Sequence, residues 1–148
     1  MKCVNEMKLE FVSRSANEGF ARVAVAAFVA QLDPTVDELS EIKTIVSEAV
    51  TNSIVHGYKD GLGIVYIAVR LYENNRIVLT VRDKGCGIED VAKAMEPMYT
   101  SCENGERAGM GFTIMRTFSD RIRVSSRVGR GTRVTMERYL ASRVHRKG

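Results

Sequence analysis

The chain has 148 residues, of which 45% are hydrophobic and 27% charged, so we expect a single folded domain with its own core and exclude a multidomain assembly. No apolar run approaches the ~18 residues that a membrane span needs, and no signal-peptide pattern opens the chain, so we expect a cytoplasmic location. The formal net charge is +4, and three cysteines without Cys-x-x-Cys spacing argue against a disulfide framework or a zinc site.

Residues 7–13 alternate apolar and polar side chains, which predicts a half-buried first strand. A helix is expected to follow, because Ser15 and Glu18 have the spacing of a capping box and Pro34 ends the periodic run. The apolar residues that recur at helical spacing, and that we expect to face the core, are Phe20, Val23, Ala24, Ala27 and Phe28.

A second helix is predicted by another capping-box pair, Thr35 and Glu38, followed by a long apolar stripe. At 3.6 residues per turn, Glu48, Asn52 and His56 would form one polar ridge on this helix. A carboxylate and a carboxamide one turn apart offer an acceptor for a proton and an oxygen ligand for a hard cation such as Mg²⁺. Taken alone, the ridge is explained more simply as a solvated polar edge.

The second half of the chain predicts two hairpins and a final helix. The predicted strands are 64–72, 76–82, 121–126 and 132–139. A long, weakly periodic segment separates the two hairpins, and the helix is expected from about Gly109 to Ser119. This order of elements predicts an α+β fold, a two-layer sandwich with helices on one face of a mixed, mostly antiparallel sheet.

Asp83, Gly85 and Gly87 directly follow a predicted strand. Glycines at such a place let the backbone approach a flat ligand, and the carboxylate can accept a hydrogen bond of the kind that adenine donates. A tight turn that requires positive φ explains the same residues equally well. Thr132, after the glycines of the last hairpin, has a simple role in a turn.

Gly109 and Gly111 stand at the start of the last predicted helix, where unpaired N–H groups and the positive end of the helix dipole favour phosphate oxygens. Arg107 adds a charge suited to a terminal phosphate, although an exposed loop cation is an equally simple explanation. No Gly-Lys-Ser/Thr follows, which excludes a Walker A loop, and the missing third glycine excludes a Rossmann fingerprint.

Glu-x-x-x-Asn on a helix, Asp-x-Gly-x-Gly after a strand and Gly-x-Gly at a helix start follow one another along the chain. In this order the motifs resemble the GHKL superfamily of ATP-binding domains, which includes gyrase, histidine kinases and mismatch-repair ATPases and has the Bergerat fold. The chain is most similar to one branch, the sporulation anti-sigma-F factors. The stretches that carry this likeness are 20–23, 31–34, 37–58 and 107–115.

The resemblance implies a protein-serine kinase that binds Mg-ATP and sequesters a sporulation sigma factor of the F type from RNA polymerase. It further implies that the kinase phosphorylates a serine of its anti-anti-sigma protein and forms a homodimer. We therefore expect residues 1–148 to be a single ATP-binding kinase and anti-sigma domain, with residues 140–148 as a basic frayed tail.

By the same resemblance, Glu48 is the general base, Asn52 the Mg²⁺ ligand and Arg107 the cation that meets the γ-phosphate. The positions that it assigns to the nucleotide are Asn52, Asp83, Gly85, Gly87, Gly109, Gly111 and Thr132. Residues 101–105 depart from the family pattern in the region of the ATP lid.

Other functions stay open at this point: a stress-response kinase of the anti-sigma-B type, a nucleotide-gated binding switch with negligible catalysis, and an ATPase module of a larger assembly. Lys and Arg are concentrated in residues 121–148, which could indicate a nucleic-acid patch. No aromatic interleaving or reader motif accompanies them, so we expect neither a direct nucleic-acid partner nor a membrane partner.

Overall fold

The computed structural model describes residues 2–96 and 105–141, with side chains from Gly111 onwards in the second range. Its strands are β1 (Cys3–Val12), β2 (Ile64–Tyr72), β3 (Arg76–Asp83), β4 (Arg121–Arg127) and β5 (Gly131–Tyr139). Its helices are α1 (Ala16–Val29), α2 (Val36–Asn52), α3 (Val91–Ala94) and α4 (Gly105–Thr117), with a 3₁₀ turn at Ala30–Leu32 and a π-helical turn at Ser53–Gly57. Within these ranges no helix is both long and apolar enough to span a membrane.

The five strands form one sheet in the order β1-β2-β3-β5-β4. The predicted α+β sandwich with helices on one face is confirmed. All four pairings between the described strands are antiparallel, so the sheet has no parallel component there, although the sequence prediction allowed for one. In the central β3–β5 pair, Asp83 lies opposite Thr132 and Arg82 lies opposite Arg133.

The core lies between the helices and one face of the sheet. Alternate residues of the central strands point toward the helices, as the period-2 pattern of apolar side chains requires. The buried strand residues are Val65, Ile67, Val69, Leu71, Ile77, Leu79, Val81, Val134 and Met136. Each such side chain contributes about 1.5–3 kcal/mol when it is fully buried, so this layer holds β3 and its functional end in place.

The first helix differs from its prediction in two ways. Ser15 makes no side-chain capping hydrogen bond within the described structure, and its own backbone is helical, with φ −57° and ψ −32°. The predicted capping box with Glu18 is therefore wrong, because a helical N-cap backbone does not present the hydroxyl to the free N–H groups.

The predicted core face of α1 is also wrong in part. Phe20 and Val23 are 55% and 61% exposed. The residues that α1 buries are Ala21, Val25, Ala26 and Val29. Apolar residues surround most of this helix, so two different stripes satisfy helical spacing, and the stripe of smaller side chains is the one that packs inward.

The second capping box is confirmed. The Glu38 N–H donates to Thr35 Oγ1 at 3.0 Å, and the Thr35 N–H donates to Glu38 Oε1 at 2.9 Å. The backbone of Thr35 is extended, with ψ 165°, which is the geometry that a capping residue needs. This box fixes the start of α2, the helix that carries the candidate site.

The predicted basic tail, residues 140–148, begins with two residues that are held by the domain. Leu140 is buried, and its N–H donates to Asn75 O at 3.0 Å. The Ala141 N–H donates to Glu38 Oε2 at 2.9 Å. Residues 142–148, with most of the predicted tail, lie outside the described residues.

Candidate functional site

Asp83 ends β3 with its side chain on the helical face of the sheet, and it is only 5% exposed. Its Oδ1 accepts the Gly85 N–H at 2.9 Å and the Thr132 N–H at 3.3 Å. Burial raises the pKa of Asp83 above its ordinary value, whereas hydrogen bonds from Gly85, Ser53 and Thr132 act in the opposite direction. A carboxylate buried and oriented in this way is suited to accept one further hydrogen bond from a ligand.

Gly85 allows two backbone segments to meet beside this carboxylate. A Cβ on Gly85 would lie 2.0 Å from the carbonyl oxygen of Gly57, so no larger residue fits there. The neighbouring Cys86 N–H donates to that same oxygen at 2.8 Å. The end of the π-helical turn and the loop after β3 therefore form one continuous wall.

Gly87 is required for a different reason. Its φ is +77°, in the left-handed region that favours glycine, and a Cβ would lie 2.2 Å from the carbonyl oxygen of Arg127. Ser126 ties this loop to the last hairpin: its Oγ accepts the Ile88 N–H at 2.7 Å and lies 2.8 Å from Thr132 Oγ1. Asp83, Gly85, Gly87 and Thr132, which the family resemblance assigned to the nucleotide, thus lie together.

Two residues that sequence reasoning missed also support Asp83. Ser53, which is 4% exposed, places its hydroxyl on the carboxylate. Tyr58 accepts the Lys84 N–H at 2.6 Å and donates to Ile64 O at 2.6 Å, which pins the backbone just after Asp83. Burial raises the pKa of Tyr58, so the hydroxyl stays protonated and able to donate. Neither contact leaves a signal in the spacing of the sequence.

Glu48 and Asn52 lie one turn apart on α2, and Gly111 of α4 packs against both. A Cβ on Gly111 would lie 3.2 Å from Glu48 Oε1 and 3.3 Å from Asn52 Oδ1. Asn52 Nδ2 is buried and has no hydrogen-bond partner within the described residues. A buried amide donor without a hydrogen-bond partner lowers the stability of the folded protein. A ligand that accepts a hydrogen bond from Asn52 Nδ2 would remove this cost.

The residues around Asp83 and those around Glu48 are joined by the peptide bond between Asn52 and Ser53. Asn52 belongs to the group beside α4, and Ser53, the next residue, contacts Asp83. The site therefore runs along the end of α2, from the carboxylate of Asp83 to that of Glu48. No set of three or more His, Cys, Asp or Glu in the described ranges could hold a metal ion on its own. An oxygen from Asn52 could serve a Mg²⁺ ion whose other ligands are phosphates and water.

Helix α4 begins at Gly105, one turn before the predicted start at Gly109. Glu106 and Ala108 are good helix formers and extend the helix toward the N-terminus. Gly109 and Gly111 therefore lie inside the helix, not at its opening, so the free N–H groups expected of them lie nearer Gly105. Arg107 is in the first turn, and its side chain lies outside the described part of the structure.

The regular helix on which the predicted ridge of Glu48, Asn52 and His56 was based ends before His56. The backbone widens into the π-helical turn Ser53–Gly57, so 100° per residue no longer applies there. The carbonyl oxygen of His56 accepts the Cys86 thiol at 3.0 Å. Through this hydrogen bond the backbone of His56 helps to hold the loop after β3.

Comparisons with known proteins found a matching domain family and similar sequences. Residues 11–138 match the family model of the histidine kinase-like ATPase domain. The anti-sigma F factor of Clostridium novyi is 57% identical over 139 residues, which cover 93% of this chain and 96% of that protein. The anti-sigma F factor of a Thermoanaerobacter species is 53% identical over 142 residues, with 96% and 99% covered.

Among solved structures, the RsbU and RsbW domains of a Mycobacterium tuberculosis protein superpose with a TM-score of 0.69. The match covers 94% of this chain and 33% of that chain, at 16% sequence identity. At this identity the likeness shows a shared fold and nothing more.

Proposed function

This chain belongs to the anti-sigma F factor family and carries a histidine kinase-like ATPase domain, and from this membership we propose a function. The chain binds Mg-ATP, holds a sigma factor of the F type away from RNA polymerase, and phosphorylates a serine of its anti-anti-sigma protein. The names of the relatives favour the F type over a stress-response kinase of the B type.

The observation that carries the proposal is the continuity of the site along the end of α2. Asp83, oriented by Gly85 and Thr132, would accept a hydrogen bond from the adenine amino group of ATP. Asn52, whose amide is buried beside Gly111, would hold Mg²⁺ through its side-chain oxygen. The adenine end of one nucleotide would thus contact the end of β3, and its phosphate end would contact the end of α2.

Bound ATP would supply the phosphoryl group that is transferred, and Mg²⁺ would offset its negative charge. Glu48 takes the proton of the incoming serine hydroxyl as the serine oxygen bonds to phosphorus and the bond to ADP breaks. Arg107, in the first turn of α4, adds a cation for the phosphates. Gly109 and Gly111 keep side chains away from the place where the phosphates would lie.

Association with a second copy is also part of the proposal. Phe20 and Val23 are large apolar side chains on α1, 55% and 61% exposed. Exposed apolar stripes of this kind are typical of protein contact surfaces. They are consistent with the homodimer that the family resemblance implies.

Intact-mass spectrometry of a candidate anti-anti-sigma protein, incubated with this chain and Mg-ATP, tests the function. We expect one added phosphate on a serine. With Glu48→Gln we expect the transfer rate to fall ~10² to 10⁴-fold while ATP affinity is retained. ATP binding with no transfer to any anti-anti-sigma protein would instead support a nucleotide-gated switch, and an unchanged rate in Glu48→Gln would refute the base assignment.

A further inference from the structure

The face of the sheet opposite the helices is open and strongly basic. Its cationic side chains are Lys8, Arg70, Arg76, Arg82, Lys84, Arg121, Arg123, Arg127 and Arg133, and its acidic ones are Glu6, Glu10 and Glu137. Arg70 pairs with Glu6, and Arg76 pairs with Glu137 at 2.9 Å. Within the described part of the chain, the other seven cations share this face with one further carboxylate, that of Glu10.

Arg82 and Arg133 lie directly opposite each other on β3 and β5. Like charges in this arrangement destabilise a sheet. Neither guanidinium makes an ion pair with a residue in the described ranges. Arg82 instead stacks on the Tyr66 ring at 4.4 Å, and the Lys84 ammonium lies 5.2 Å from the same ring. The sheet therefore holds a cluster of cations without ion-pair partners among the described residues, and a bound anion would reduce the repulsion among them.

At this cluster the open face forms a shallow trough of about 580 Å³, and both Arg82 and Arg133 line it. Small or branched side chains form its floor, including Ala68, Val78, Thr80 and Thr135. Long cationic side chains stand around it, among them Lys8 and Arg133. The trough lies on the opposite side of the sheet from Asp83 and is separate from the nucleotide site.

We propose that this trough, the basic trough, binds an acidic polypeptide segment of a partner protein. Carboxylates match guanidinium groups in forked, charge-assisted hydrogen bonds, and Arg82 and Arg133 offer two such groups side by side. The floor of Ala68 and Val78 gives the backbone and apolar atoms of a peptide a surface to pack on.

The same features argue against single-stranded nucleic acid as the occupant. Sheets that bind bases present aromatic rings on which the bases stack. The floor of the trough carries none, and the one ring that lines it, that of Tyr66, is already covered by the Arg82 guanidinium. A ligand with discrete carboxylates fits this surface better than one that requires stacking.

The test measures fluorescence anisotropy of a short labelled peptide of alternating Glu and Ser, at physiological ionic strength. The Arg82→Ala/Arg133→Ala double variant removes the central cations of the basic trough. Its control, Lys43→Ala/Lys59→Ala, removes the same charge from α2 and the segment that follows it. We expect saturable binding that weakens roughly tenfold or more in the first variant and changes less than about twofold in the control.

A second variant separates binding from folding. Arg133→Glu places a carboxylate opposite Arg82, so we expect a cross-strand ion pair, unchanged or higher thermal stability, and loss of peptide binding. Absence of saturable binding, or equal weakening in both double variants, would overturn the proposal. Tighter binding of a labelled oligothymidine, lost in the same trough variants, would show that the surface takes nucleic acid instead.

Discussion

The backbone of Gly111 lies against the carboxylate of Glu48, so close that a methyl group on Gly111 would stand 3.2 Å from Oε1. In Gly111→Ala the methyl group would displace the ends of Glu48 and Asn52 by a few tenths of an ångström. Alanine is also a better helix residue than glycine by about 0.5–1 kcal/mol. We expect unchanged or slightly higher stability with roughly tenfold weaker Mg-ATP binding, measured by thermal unfolding and isothermal titration calorimetry.

Gly19→Ala is the matched control, because Gly19 also lies inside a helix and its Cβ would meet only Arg22 Nη2 at 3.7 Å. This variant should gain the same helix stability and bind Mg-ATP like the parent. Equal ATP affinity in both variants would show that the Gly111 contact does not shape the site.

Asp83→Asn should raise stability at neutral pH. Burial raises the pKa of Asp83, so the stability that its protonated form contributes is fully present below the ordinary value of 3.8 and is lost as the pH rises through the raised value. Asparagine stays neutral, and its Oδ1 can still accept the N–H groups of Gly85 and Thr132. Scanning calorimetry should show a higher Tm than the parent at neutral pH and a difference that shrinks toward pH 3.8.

The same variant should lose most ATP affinity, since the adenine amino group needs an acceptor that the carboxamide offers less well. A more stable protein that no longer binds ATP is the expected combination. A lower Tm at neutral pH would mean that the hydrogen bonds to the charged carboxylate outweigh its burial.

Tyr58→Phe removes the hydroxyl that joins the Lys84 N–H to Ile64 O. Two backbone groups lose their partner, which costs about 1–3 kcal/mol where water cannot replace it. We expect a lower free energy of unfolding in urea and weaker ATP binding, because the backbone next to Asp83 is released. Tyr139→Phe, at a side chain 47% exposed, is the control and should change neither quantity.

Thr35→Ala removes the capping hydroxyl of α2 and should cost about 1 kcal/mol of stability, or about 2–4 °C in Tm. Ser15→Ala is an internal comparison, because Ser15 has the same spacing to a glutamate but no side-chain cap in the described structure. It should leave Tm nearly unchanged. Equal losses in the two variants would contradict the assignment of a single capping box.

The pair Ser15 and Thr35 shows what spacing alone can predict. Both precede a glutamate by three residues, yet only Thr35 has an extended backbone that turns its hydroxyl toward the helix. The backbone dihedral depends on how the preceding strand enters the helix, which is a property of the fold. For the same reason periodicity located α1 but did not identify which stripe of it is buried.

In the site, local motifs were predictable and tertiary supports were not. Asp83, Gly85 and Gly87 are close in sequence, so their strand-end turn could be read directly. Ser53 and Tyr58 reach Asp83 and Lys84 across 30 and 26 positions respectively, and no periodicity encodes such contacts. The ridge prediction assumed a regular helix as far as His56, whereas the chain forms a π-helical turn at Ser53–Gly57.

Asn52 and Ser53 are consecutive residues that contact different parts of the candidate site. Asn52 lies beside Gly111 of α4, and Ser53 contacts Asp83 at the end of β3, so the two parts of the candidate site are linked through one peptide bond. Gly111, by contrast, comes from α4, whose distance from α2 depends on packing alone. A shift of α4 relative to α2 would therefore change the surroundings of Glu48 and Asn52 without directly changing the hydrogen bonds that hold Asp83.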